Sequence, residues 1–154
     1  MDKLLQLLRE NEMTLATAES CTGGMLGAKI TAIPGSSDVY VGGVVSYSNE
    51  IKQKVLNVPE EFLKEHGAVS WQVAEAMAEG VRDLCGSSIG IGITGIAGPA
   101  SDGTEKPVGL VYIGYCDEHR IMNKRLLLKG TRDAIRAESC RQAKLLIRNN
   151  LKRK

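Results

Sequence analysis

The sequence predicts an α/β domain with a mixed sheet packed between helical layers, and three observations lead there. Apolar stretches of strand length alternate with stretches whose apolar residues recur at helical spacing. Residues 108–115 and 121–128 read as a hairpin closed by a polar loop, which makes part of the sheet antiparallel. Strings of small residues bearing hydroxyl or amine groups follow three predicted strands, starting at Ser20, Tyr47 and Thr94, and strand ends are where ligands gather in an open α/β sheet.

Each element has its own local cause. Leu4, Leu5, Leu7 and Leu8 line a first helix that Asn11 ends, and residues 14–19 form a short strand. Residues 22–33 read as a helix with Met25, Leu26, Ile30 and Ile33 on one side, stopped by Pro34 and Gly35. Residues 39–47 are almost continuously apolar, the pattern of a strand covered on both faces. Residues 51–56 and 60–66 are short helical pieces split by Asn57-Val58-Pro59. Ser70 caps a helix with Val73, Met77, Val81 and Leu84 inward, and Gly86 ends it. Residues 89–94 alternate as a strand. Thr131 caps a last helix whose inner face carries Ile135, Ser139, Ala143, Leu146 and Ile147. No repeat, low-complexity segment or linker interrupts the chain, so residues 1–154 are expected to form a single domain.

Composition narrows the function classes. A chain of 154 residues can bury about 70% of the surface its unfolded form exposes. With 43% apolar and 25% charged residues it has the material for a core, which argues against disorder. A formal charge of +2 is too small to point to nucleic acid, and the basic end Lys152-Arg153-Lys154 reads as a solvated terminus. Cys21, Cys85, Cys116 and Cys140 lack pairing or metal spacing, and no cleavable apolar leader precedes the first helix, so they read as reduced thiols of a cytoplasmic protein. No run of 18 apolar residues exists to span a membrane. His66 and His119 lie in polar, loop-like sequence, so no metal site is expected.

The chemistry-bearing strings carry more. Ala18-Glu19-Ser20-Cys21-Thr22-Gly23-Gly24 ends a strand and opens a helix, where backbone N–H groups and the helix dipole favour an anion such as phosphate; a plain cap by Ser20 or Thr22 is the simpler alternative. Cys21 is either a thiol activated by the same dipole or a buried inert one. Capping by Ser48 or Asn49 puts Lys52 in or just after a first helical turn, the wrong end for a cation. Such a position depresses the amine's pKa, as a base near neutral pH requires. The alternative is a lysine whose head reaches water. Tyr47 can orient that amine or relay its proton, or it is a strand-edge aromatic.

Arg132 stands at the first position of the last helix, again the wrong end, and an anionic ligand relieves the conflict; Arg136, one turn on, can share that duty. Thr94, Gly95 and Gly98 belong to a glycine-rich turn able to offer donors to an oxyanion, or they serve only as a tight turn. Gly35-Ser36-Ser37-Asp38 supplies hydroxyl nucleophiles. Since neither histidine belongs to a strand-end string, a pair made of Ser37 and Lys52 is the economical alternative to a Ser-His-Asp triad.

The strings ESCTGG, GSS, YSNEIK, HGAVS, TGIAGP and KPVG, in that order between Ala18 and Arg136, closely resemble the CinA C-terminal domain family, whose stand-alone members are nicotinamide mononucleotide (NMN) deamidases of the PncC type. The resemblance implies a three-layer α/β/α domain in the bacterial cytoplasm that hydrolyses NMN to nicotinate mononucleotide and ammonia, recycling pyridine nucleotide. It carries functional positions to Ser20, Ser37, Tyr47, Lys52, Thr94 and an arginine opening the last helix, Arg132 first and Arg136 second; the choice of Ser37 over Ser36 rests on it alone. The loop Ala100-Ser101-Asp102-Gly103-Thr104 departs from the family by its scarcity of glycine. Many relatives carry a further N-terminal molybdopterin-binding-like domain that 154 residues cannot hold, so the chain is expected to act alone or as a homo-oligomer.

The expected mechanism has Lys52, assisted by Tyr47, activate Ser37 for attack on the carboxamide. Thr94 or backbone N–H groups hold the oxyanion, Arg132 and the Ser20 to Gly24 loop hold the phosphate, and no metal or organic cofactor is required. The rival from another class is a nucleotide-binding or interaction module without turnover, linked to competence or DNA-damage proteins.

Overall fold

The computed structural model describes residues 1–151, and the basic end Lys152-Arg153-Lys154 lies outside them. Five strands form one sheet: β1 (Leu15–Glu19), β2 (Tyr40–Val45), β3 (Ile89–Gly95), β4 (Leu110–Cys116) and β5 (Ile121–Leu127), in the order β2-β1-β3-β4-β5. β1 runs parallel to β2 and β3, whereas β3, β4 and β5 pair antiparallel. The mixed sheet and the hairpin are as expected. The parallel trio matters for function, because it delivers the C-terminal ends of β1, β2 and β3 to one side of the molecule.

Helices α1 (Asp2–Glu10), α2 (Met25–Thr31) and α6 (Arg132–Leu151) cover one face. There Leu4, Leu5, Leu8, Leu26, Ile30, Ile135, Ala143 and Ile147 pack with Ile89, Ile91 and Ile93. On the other face lie α3 (Asn49–Leu56), α4 (Glu60–His66) and α5 (Trp71–Cys85), with Leu56, Leu63, Val73, Met77 and Val81 over Ala16 and Ala18. The result is the three-layer α/β/α arrangement. α5 approaches the sheet so closely that a Cβ at Gly90 or Gly114 would overlap the carbonyl oxygen of Ala78 or Ala74. The Ile-Gly alternation of β3 therefore gives the bulk to one face and the close approach to the other.

Several expectations are corrected. β2 is an edge strand whose residues alternate between half-buried and exposed, with Val41 49% and Val45 52% exposed, so its apolar run does not mark a strand covered on both faces. α2 begins at Met25 rather than at residue 22, because Gly23 and Gly24 adopt left-handed conformations (φ 58 and 98) that turn the chain before the helix starts. Leu84 is exposed, one position beyond the buried stripe of α5. Leu146 is half-buried, whereas Cys140, Asn150 and Leu151 join the buried side of α6.

Candidate active site

Ser20 follows β1, Tyr47 follows β2 and Thr94 lies near the end of β3, and these three ends surround a cavity of about 250 Å³. Its lining includes Ser20, Cys21, Tyr47, Lys52, Thr94, Gly95, Gly98 and Arg132. A larger hollow of about 640 Å³ lies over the outer side of α4 and α5. That hollow offers Glu75, Glu79 and Asp83 with no lysine or serine, a surface hostile to an anionic nucleotide.

Lys52 is the centre of the smaller cavity. Ser48 caps α3 by accepting the Ile51 N–H at 3.1 Å, and the helix then carries Lys52 inward until it is 1% exposed. Its Nζ donates to Ser20 Oγ at 3.1 Å and to the Tyr47 backbone carbonyl at 3.1 Å. Among the described residues no carboxylate is bonded to it, so burial acts largely unopposed and pushes the amine from 10.5 down to about 8. The expected depression is present, but its leading cause is loss of water rather than the helix dipole.

Tyr47 orients the amine through its carbonyl and not its hydroxyl. The ring is 64% exposed, and its hydroxyl oxygen stands 3.4 Å from an Arg132 guanidinium nitrogen. Arg132 is the first residue of α6, follows the Thr131 cap, and donates to the Gly98 carbonyl at 2.7 Å. A guanidinium thus reaches the cavity between the Gly98 carbonyl and the Tyr47 ring. Arg136 does not line it. Its Nε and a terminal nitrogen donate to the carbonyls of Cys21 and Thr22 at 3.1 and 3.0 Å, which ties α6 to the turn after β1.

At the expected anion site the start of α2 is held by a carboxylate of the chain itself. Glu19, 2% exposed, accepts the N–H groups of Leu26 and Gly27 at 2.8 and 3.0 Å and the Thr22 hydroxyl at 2.6 Å. The Gly23 and Met25 N–H groups go to the carbonyls of Ser20 and Thr22. The N–H groups of Gly23, Met25, Leu26 and Gly27 thus have partners within the chain, and the Gly23-Gly24 turn presents Ser20. Glu19 precedes α2 by six residues and reaches its first turn only because Gly23 and Gly24 turn the chain, so it carries no cap signal in the sequence.

Thr94 also differs from expectation. It is buried, and its hydroxyl donates to the Ala68 carbonyl at 2.8 Å, so its proton is committed and the side chain is not a free oxyanion donor. Lys106 reinforces the same junction by donating to the carbonyls of His66 and Val69, which joins the KPVG and HGAVS strings. Cys21 lines the cavity, yet burial pushes its thiol up to about 11, the wrong direction for a thiolate nucleophile.

Ser37 is not brought to Lys52 within one chain. It lies in a 3-10 turn (Ser36–Asp38) before β2 begins, whereas Lys52 comes after β2 ends. Six strand residues separate the two ends by about 20 Å. The serine beside the amine is Ser20. Among the described residues no group of three or more His, Cys, Asp or Glu could hold a metal ion, and no helix is long and apolar enough to cross a membrane.

Comparison with known proteins agrees with the architecture. A CinA-like protein of Citrifermentans bemidjiense is 50% identical over 139 residues, which are 90% of this chain and 34% of that protein. A CinA-like protein of Gemmatimonas aurantiaca is 54% identical over 132 residues, 86% of this chain and 31% of that one. The chain thus spans about a third of the length of these curated relatives. Among solved structures, a CinA superfamily protein from Klebsiella pneumoniae superimposes with TM-score 0.95 at 34% identity, covering 98% of this chain and 94% of that one. CihA from Agrobacterium tumefaciens gives 0.93 at 33%, covering 98% and 92%. The family model for the CinA C-terminal domain matches residues 1–151, and the chain belongs to that family.

Proposed function

We propose that this domain is an amidohydrolase that converts NMN and water to nicotinate mononucleotide and ammonia, with Ser20 as nucleophile and Lys52 as base. The observation that carries this reading is the buried Lys52 amine, pushed down to about 8, within 3.1 Å of Ser20 Oγ. A lysine used only for binding has no need of a dry position beside a serine. A base needs its neutral form near neutral pH, which burial supplies.

In the proposed sequence, neutral Lys52 takes the Ser20 proton as Oγ adds to the carboxamide carbon. The C–N bond then breaks as the ammonium of Lys52 returns that proton to the leaving nitrogen, and ammonia departs. Water, deprotonated by the same amine, cleaves the ester and restores Ser20. The Tyr47 carbonyl holds Nζ in line throughout, and the loop Gly95 to Gly98 forms the wall against which the oxyanion develops. Arg132 is the residue for the phosphate, a guanidinium at the rim whose partner, a backbone carbonyl, leaves its charge uncompensated. This reading takes Ser20 rather than Ser37 as nucleophile, because Ser20 is the serine bonded to Lys52.

The test is ammonia release from NMN by purified wild type, Ser20→Ala and Lys52→Met. Turnover by wild type with loss in both variants supports the reading. Saturable NMN binding with no ammonia would return the site to the non-catalytic module.

A further inference from the structure

The hollow of about 640 Å³ over α4 and α5 shares no lining residue with the Ser20–Lys52 cavity. Its apolar lining includes Leu56, Phe62, Ala76 and Ile121, and Trp71, the single tryptophan of the chain, stands beside them at 46% exposure. Ile121 is 45% exposed. Large apolar side chains grouped in a concave surface and left half in water gain from a covering partner. The groove is deepest where Gly80 lets α5 cross the end of α3, since a Cβ there would overlap the Leu56 carbonyl.

Its charge says what kind of partner fits. Glu75, Glu79 and Asp83 line the same groove at four-residue steps of α5, about 6 Å apart along the helix. Among the described residues none of the three belongs to an ion pair, and Glu75 accepts only the Asn123 amide, at 2.6 Å. Arg82 and Arg120, which share a neighbouring hollow with Glu79 and Asp83, are engaged elsewhere: Arg82 donates to the Ser88 carbonyl at 3.0 Å, and Arg120 faces the Asp117 carboxylate at 3.7 Å. Asp83 also stands in the last turn of α5, the negative end of the helix dipole and the wrong end for a carboxylate. A chain of formal charge +2 thus keeps an unpaired acidic stripe beside its exposed tryptophan, and a cationic partner relieves that conflict.

We propose that this groove docks a basic amphipathic helix of a partner protein. The partner's apolar stripe covers Phe62, Trp71 and Ile121, and its lysines or arginines, at the same four-residue spacing, face Glu75, Glu79 and Asp83. From Trp71 to Asp83 the groove runs about 18 Å along α5, room for about three turns of a helix lying alongside. A helix fits better than an extended strand. Apart from Ile121 the lining comes from helices and the turn between them, whose backbone offers no sheet edge, and the carboxylates repeat at helical rather than strand spacing. Three carboxylates with no lysine or arginine in the lining repel nucleic acid and anionic lipid.

Trp71 reports the contact directly, because no other tryptophan contributes to the fluorescence of the chain. The probe is a tryptophan-free peptide of about 18 residues, built of leucine and lysine in the order of an amphipathic helix and titrated into the full chain. Emission should move to shorter wavelength and saturate. A peptide of the same composition with leucine and lysine alternating, the order of a strand, should bind at least about 10-fold more weakly. Glu79→Lys/Asp83→Lys, two exposed positions checked for fold by circular dichroism, should weaken the helical peptide by about 10-fold or more. Ile121→Asn should weaken it by about 3-fold or more, because the apolar cover is lost while the charges remain.

No shift with the helical peptide, equal binding of the alternating one, or a charge-reversed variant that binds like wild type overturns the proposal. Binding that survives Ile121→Asn unchanged reduces the contact to charge alone and overturns the helix-in-groove arrangement. The readout is the Trp71 emission and not ammonia release, so its outcome is independent of the amidohydrolase reading.

Discussion

Replacing Lys52 by methionine should make the protein more stable near pH 7, and the size of the gain should depend on pH. The lysine is 1% exposed, and its amine falls from 10.5 to about 8 in the folded chain because burial disfavours the charge. Below pH 8 both folded and unfolded chains hold the proton, and the folded chain bears the whole cost of a buried ammonium. Between about 8 and 10.5 the unfolded chain binds more protons than the folded one, so wild-type stability rises with pH across that window. Above 10.5 the cost is gone.

The difference between those two values corresponds to about 3 kcal/mol. Methionine removes that cost and loses the bonds from Nζ to Ser20 and Tyr47, each worth about 1 kcal/mol, so the net gain at pH 7 is about 1–2 kcal/mol. Urea denaturation of both proteins from pH 7 to 10.5 reads this directly, because every other titrating group is shared. The stability difference should move by about 3 kcal/mol toward wild type over that range. A difference that stays flat with pH, or a methionine variant less stable at pH 7, would refute the claim that burial sets the amine's pKa.

Three further outcomes follow from the same geometry. For wild type, kcat/KM should climb with pH and level off above about 8, with pH 7 giving about a tenth of the plateau; a profile flat from pH 6 to 9 removes Lys52 as the base. Arg132→Ala should raise the KM for NMN by about 10- to 100-fold, the effect of losing a charged hydrogen bond, while leaving turnover of the phosphate-free riboside unchanged. Equal effects on both substrates would place the phosphate elsewhere. Glu19→Gln should cost about 1–3 kcal/mol in urea denaturation, since an amide cannot accept from Leu26, Gly27 and Thr22 together; an unchanged midpoint would show that the turn holds without it.

Much of the fold was legible because local signals agreed with the tertiary result. Asn57 and Gly86 end helices in the left-handed conformation they tolerate, Asn11 ends α1 with its side-chain amide donating to the Leu7 carbonyl, and Ser48, Ser70 and Thr131 cap the helices they precede. β2 was misjudged because an apolar run has two causes, cover on both faces or an edge awaiting another surface, and composition does not separate them. Lys52 stood out because it broke a rule of helix electrostatics, but its burial, the stronger effect, is a tertiary fact. The pairing of Ser37 with Lys52 overlooked a length argument already in the chain: a strand lies between them, so they leave it at opposite ends. Glu19 acts on residues seven and eight positions ahead, a reach that depends on the glycine turn between, and no helix-capping pattern of fixed spacing reveals it.

The account stands most directly on one measurement, ammonia released from NMN by wild type, Ser20→Ala, Ser37→Ala and Lys52→Met, each verified as folded. It predicts turnover by wild type, loss in Ser20→Ala and Lys52→Met, and an acyl-enzyme trapped on Ser20 in quenched wild-type reactions. Full activity in Ser20→Ala, or the acyl group found on Ser37, would contradict it.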